Sequence, residues 1–145
     1  MGTPLGNAVL AGAATGLRST AALAALINAG GRGLPAPLAK PVARRAAAVG
    51  VATELVLDKM PFTTSRLDPP GLAGRLVFAA AAGAVIARAA AKPALPAVAA
   101  ACLASLVAAK AGHDARVAAA ERFPALAVAL VEDAVALGIA AASRS

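Results

Sequence analysis

The sequence reads as an all-α bundle of about five transmembrane helices. Three observations lead there. Of 145 residues, 60% are hydrophobic and only 14% charged, with a mean hydropathy of +0.77, where a soluble domain carries about 45–50% apolar residues and about 25% charge. A soluble chain of this length would still expose roughly a third of its unfolded surface; here that third would be largely apolar, so the solvent is lipid. The apolar residues also fall in runs close to the ~20 residues that cross a ~30 Å hydrocarbon core. Those runs are long, rich in alanine and not alternating, which suits helices better than barrel strands, the two structures that satisfy every backbone polar group within lipid.

The first run spans 4–29 and is interrupted only by Arg18. It ends at Asn28-Ala-Gly-Gly-Arg-Gly, a string of helix terminators followed by Pro35 and Pro37. The second spans 41–59, with Pro41 suited to a first helical turn and Met60-Pro61 closing it. Phe62-Thr-Thr-Ser-Arg-Leu-Asp-Pro-Pro is the most polar stretch of the chain. The third run covers 71–91, the fourth 94–112, which is short, and the fifth 123–142. The N-terminus lacks the basic leader and cleavage pattern of a signal peptide, so the first run is expected to be retained.

Alanine is only weakly apolar, so insertion of any single helix is marginal and mutual packing carries more of the stability. Gly12-Ala-Ala-Thr-Gly16 is a GxxxG pattern, and 79–84 offers a similarly smooth face; both let helix backbones approach closely. Gly12 and Gly16 are therefore expected at a helix–helix contact.

A charge at the bilayer centre costs at least about 2.5–3.5 kcal/mol, which makes the ionisable residues inside the runs the informative ones. Arg18 lies midway along the first, and Glu132 and Asp133 lie midway along the fifth. Glu54 and Asp58 are one turn apart on one face of the second helix, with Lys59 next to them. Lys110, His113, Asp114 and Arg116 cluster just beyond the fourth run. Arg18 is expected to pair with Glu132, Asp133 or Glu54. A network of Arg18, Glu54, Asp58, Lys59, Lys110, Arg116, Glu132 and Asp133 either fixes helix register or lines a path for an ion or small solute.

Several familiar chemistries are excluded. The 14 Lys and Arg against 7 Asp and Glu give +7, but the chain has no Trp or Tyr to stack on bases. Its cations sit mostly at the ends of apolar runs, where they anchor helices at headgroups, so no nucleic-acid partner is expected. One His and one Cys cannot build a standard His/Cys metal site, and Cys102 has no partner for an internal disulfide. Gly30-Gly31-Arg32-Gly33 lacks the Lys-Ser/Thr of a phosphate loop and follows a helix. His113 beside Asp114 has no marked nucleophile to serve. An enzyme is not expected, nor a cofactor or a metal.

Taken together, Gly16-Leu17-Arg18, Glu54 followed by Asp58-Lys59-Met60-Pro61, Asp68, Lys110, Arg116 and Glu132-Asp133 resemble the small bacterial membrane proteins grouped as the domain-of-unknown-function 4126 family. The resemblance covers almost the whole chain, and Asp-Lys-x-Pro after an upstream Glu is its most specific piece. Ala129 stands where a Ser commonly precedes the Glu-Asp pair. The resemblance implies a multi-pass protein of the bacterial inner membrane and no established activity.

The order of charges suggests a weak internal repeat: Arg18 then Glu54 and Asp58, followed by Lys110 and Arg116 then Glu132 and Asp133. With the third helix as connector, helices 1–2 and 4–5 would be inverted about it, an arrangement that puts a transporter's polar site where the halves meet. Five spans place Arg32, Lys40, Arg44, Arg45, Arg88, Lys92 and Arg144 on one side, and Lys59, Arg66, Arg75, Lys110, Arg116 and Arg122 on the other. The first side is read as cytoplasmic, with the N-terminus outside. The functional expectation is transport or conduction of a small ion or solute by an oligomer, with a dimer favoured because five short helices enclose little volume. The alternative is a non-catalytic structural or accessory subunit of a larger membrane complex.

Overall fold

The computed structural model describes residues 2–30, 33–57 and 69–144, with no strand among them. Six helices follow in order: α1 (Pro4–Leu17), α2 (Ala21–Ala29), α3 (Pro41–Leu57), α4 (Pro69–Ala89), α5 (Ala94–Ala120) and α6 (Ala125–Ala142). Proline precedes or opens every one except α2, consistent with its preset φ and its missing N–H in the first turn. Thr3 caps α1 by accepting a hydrogen bond from the Gly6 N–H at 3.0 Å.

The expected single helix over 4–29 is two helices. Arg18 is extended, with φ −147° and ψ 113°, and Ser19 and Thr20 complete a tight turn before α2 begins. The neighbours of each arm show that the chain doubles back. Thr3, Pro4 and Leu5 border the same cleft as Ala87, Lys92 and Pro93, while Gly33, beyond the end of α2, packs on the backbone of Val85 and Ala89. Both arms therefore start and finish at the C-terminal end of α4, and α1–α2 is a helical hairpin whose tip is Arg18–Thr20. Fourteen residues of α1 reach about 21 Å into the bundle at 1.5 Å per residue. Arg75, which meets the tip, lies fourteen residues before the end of α4, at the same depth.

Close approaches between backbones set the remaining directions. A Cβ on Gly12 would strike the Ala101 carbonyl, and one on Gly16 would strike that of Ser105, so α1 and α5 run parallel along Gly12/Ala101 and Gly16/Ser105. Gly83 packs on Ala97 and Val98, and the Cys102 thiol faces the Leu76 carbonyl at 3.8 Å, so α4 and α5 are antiparallel. Glu54 reaches Thr20 while the Arg44 guanidinium lies against Gly30, which makes α3 antiparallel to α2. Arg18 pairs with Asp133, and one alanine-rich cluster joins Ala11, Ala14, Ala21 and Ala22 to Ala140, so α6 returns toward the end from which α1 set out. That end, hereafter proximal, holds residues 3–5, 33–40, 89–93 and 143–144; the distal end holds residues 120–125 and the start of α4.

Two further expectations change. Helices one and four of the sequence reading begin at the same end, since α1 and α5 are parallel, and that is not the geometry of an inverted repeat. The fourth run, expected at 94–112, continues to Ala120, because His113-Asp-Ala-Arg-Val-Ala-Ala-Ala is a good helix former and nothing stops it before Pro124. α4, α5 and α6 are each long and apolar enough to cross a membrane.

The partition of side chains is inside out. The largest fully buried side chains are Arg18, Thr15, Ser105 and Ser143, and the apolar core is mostly alanine. Leu95, Leu103, Val107, Leu126, Leu130 and Val131 are all exposed. In water that arrangement would forfeit the apolar burial that drives folding; in lipid it is the stable one, and the surface is that of a membrane protein.

Candidate functional site

Interrupting a helix leaves carbonyls at the end of one arm and N–H groups at the start of the other without helical partners. At the hairpin tip both sets are met by charged side chains from other helices. Glu54 of α3 accepts hydrogen bonds from the Ser19 N–H at 2.7 Å, the Thr20 N–H at 3.0 Å and the Thr20 hydroxyl at 2.5 Å. A carboxylate there also meets the positive end of the α2 dipole. Thr20 makes no cap bond with its own side chain, so Glu54 serves as the N-cap of α2 from a distant part of the sequence. Arg75 of α4 donates from Nη1 to the Gly16 carbonyl at 3.4 Å, placing a cation at the negative end of α1.

Arg18 itself points into the bundle, 1% exposed, and donates from Nη2 to Oδ1 of Asp133 on α6. Its extended backbone is what redirects the side chain away from the axis of α1. The fourth neighbour is backbone: Gly16 sits against Ser105 and Ala109 of α5. The tip thus receives a carboxylate from α3, a guanidinium from α4, a carboxylate from α6 and the bare backbone of α5.

A second pair lies next to the first. Arg116 of α5 donates to Oε2 of Glu132 from Nε at 3.0 Å and from Nη2 at 2.5 Å. Both residues line a cleft of about 450 Å³ between α5 and α6 that Leu17 also borders. Successive residues on a helix diverge by about 100°, so Asp133 serves the tip while Glu132 serves α5.

Of the expected network, Arg18, Glu54 and Asp133 converge on the tip, and Arg116 and Glu132 adjoin it. Lys110 does not join them. It pairs with Asp114 one turn on, at 2.8 Å, with both side chains more than half exposed, an i,i+4 contact of the kind that stabilises a helix by a few tenths of a kcal/mol. Asp58 and Lys59 lie outside the described residues. Gly12 and Gly16 do form a helix–helix contact, within the chain.

Arg75 is the functional-site residue that sequence reasoning missed. In the sequence it reads as one of the helix-end cations, because it follows Pro69-Pro70-Gly71 so closely. The available signal is its position six residues beyond Pro69, where the span can start. Among the described residues no group of three His, Cys, Asp or Glu side chains could hold a metal ion. The arrangement can hold charge at depth and gathers backbone N–H and C=O groups from two half-helices. Comparison with protein-family models, with curated proteins and with solved structures finds no match to this chain.

Proposed function

We propose that this chain is a small multi-pass protein of the bacterial inner membrane that conducts or transports a small ion or polar solute past the hairpin tip. The observation that carries the reading is the broken helix itself, with Glu54, Arg75 and Asp133 gathered on its interruption. Non-helical backbone at membrane depth is tolerated where it is enclosed by protein or lines a cavity, and facing half-helix ends are the elements from which transporters build sites for charged substrates. Ionisable side chains at such depth are costly to retain without a role. The resemblance to the domain-of-unknown-function 4126 family agrees with the location and adds no activity. A homodimer is part of the proposal, since six helices of this size surround little space.

Reconstituted proteoliposomes test it. Flux of protons, alkali cations, chloride and small neutral solutes is measured for the wild type and for Glu54→Gln, with helicity by circular dichroism and elution as a single species as controls. The expected result is flux for at least one of these, reduced tenfold or more in a Glu54→Gln protein that remains folded. Absence of any flux from wild-type protein that copurifies in fixed stoichiometry with one larger membrane complex would replace this reading with that of an accessory subunit.

A further inference from the structure

We infer that the proximal end carries a binding site for an anionic phospholipid, built around Arg88 and Lys92. The inference stands whether or not the chain transports. A cleft of about 500 Å³ lies between α4 and the segment following α2; its walls include Pro35, Leu38, Ala84 and Val85, and its polar side chains are Arg88 and Lys92. A second apolar cleft, of about 300 Å³, is bordered by Pro4, Leu5 and Pro96, and Lys92 borders it too. A cation therefore stands beside two apolar grooves at one end of a membrane-spanning helix. That is the complement of a phosphodiester carrying two acyl chains.

The cations are held there by backbone geometry. The Lys92 N–H donates to the Ala87 carbonyl at 2.9 Å and the Ala91 N–H to that of Arg88 at 3.2 Å, the paired bonds of a Schellman turn, with Ala91 left-handed at φ 51°. This turn ends α4 and sets Lys92 close to Arg88. Among the described residues no carboxylate offsets them: Lys40, Arg44, Arg45, Arg88, Lys92 and Arg144 are the charged residues of the proximal end, and every described Asp and Glu belongs to the tip or to the distal half. Surface cations near a bilayer attract anionic lipid generally; Arg88 and Lys92 in addition flank clefts that accept the chains.

The test is lipid retention. The protein is purified from vesicles of equal parts phosphatidylcholine and phosphatidylglycerol, exchanged into mild detergent, and its bound lipid counted by native mass spectrometry. Expected is retained phosphatidylglycerol in preference to phosphatidylcholine, falling at least fivefold in Arg88→Gln/Lys92→Gln and unchanged in the control Lys40→Gln/Arg144→Gln. Equal losses in both double variants, or no loss in the first, would overturn the site. So would crosslinking between copies through Leu38→Cys, which would show a second chain in the cleft. Leu38→Trp, which fills the cleft and leaves the charges alone, is expected to lower retention as well; retention at the wild-type level would contradict a role for the groove.

Discussion

Among the charged residues, Arg18 is the one on which the largest single effect is expected. Its guanidinium and the Asp133 carboxylate are both nearly inaccessible, and removing one member of a buried pair leaves the other charged and uncompensated, at about 3–5 kcal/mol. Asp133→Ala is therefore expected to destabilise the protein by that order in detergent unfolding monitored by circular dichroism. Replacing both, as Arg18→Met/Asp133→Leu, is expected to recover most of the loss, because well-packed apolar groups often replace a buried pair without penalty. A double variant no better than Asp133→Ala would show that Arg18 is held mainly by other groups. The sequence reveals that Arg18 needs an acidic partner at depth, since an isolated buried charge is untenable. It does not reveal which of Glu54, Glu132 and Asp133 that is. The choice follows from helix rotation and from the turn at Arg18, and neither is visible in a pattern of charges. Glu54 was available as a partner for Arg18 and is drawn to the Ser19 and Thr20 amides instead, groups that exist as donors only because the helix breaks.

At the scale of elements, the helices were legible and the break was not. A 26-residue apolar run with one arginine is what a continuous span looks like, and both arms of the hairpin remain apolar because each is buried against other helices. Gly12 and Gly16 were legible as a packing face. Their partner, the Ala101 and Ser105 backbone, is specified by three-dimensional register. Because those contacts are to backbone, Gly12→Leu and Gly16→Leu are each expected to abolish the folded state, read as loss of a single gel-filtration peak and of a cooperative unfolding transition. Gly138 has open space where a Cβ would stand, so Gly138→Ala is expected to be neutral or to stabilise by up to about 1 kcal/mol through helix propensity. Equal tolerance at all three glycines would refute the α1–α5 contact. The Schellman turn supplies a complementary case. Ala91 is left-handed, a conformation that costs a residue with a Cβ about 1 kcal/mol and glycine little, so Ala91→Gly is expected to raise stability by a fraction of that amount. A fall would indicate that the turn is not formed.

The hairpin also changes where the two ends of the molecule lie. Five continuous spans would separate the chain's ends across the membrane; a hairpin that enters and leaves by one face, followed by α3, α4, α5 and α6 in alternating directions, brings Thr3 and Arg144 to the same side. Charge then becomes asymmetric in a way that counting cations per loop conceals. Arg75 leaves the tally because it is buried at the tip, and the distal cations Lys110, Arg116 and Arg122 are matched by Asp114, Glu121 and Glu132. The proximal end keeps six described cations and no described acid. Because an excess of Lys and Arg is retained on the cytoplasmic side, the proximal end is expected to face the cytoplasm, as five spans also imply for Lys40, Arg88, Lys92 and Arg144; the segment at residue 3 joins it there, where five spans would put it outside. Single cysteines at Thr3, Leu38, Arg144 and Glu121, in a Cys102→Ala background, test this with an impermeant maleimide on intact and opened cells. The first three are expected to react only after opening, and Glu121→Cys in intact cells. Thr3→Cys and Arg144→Cys reacting from opposite sides would require α1 and α2 to form one continuous span, and the tip, with the site built on it, could not exist in that form.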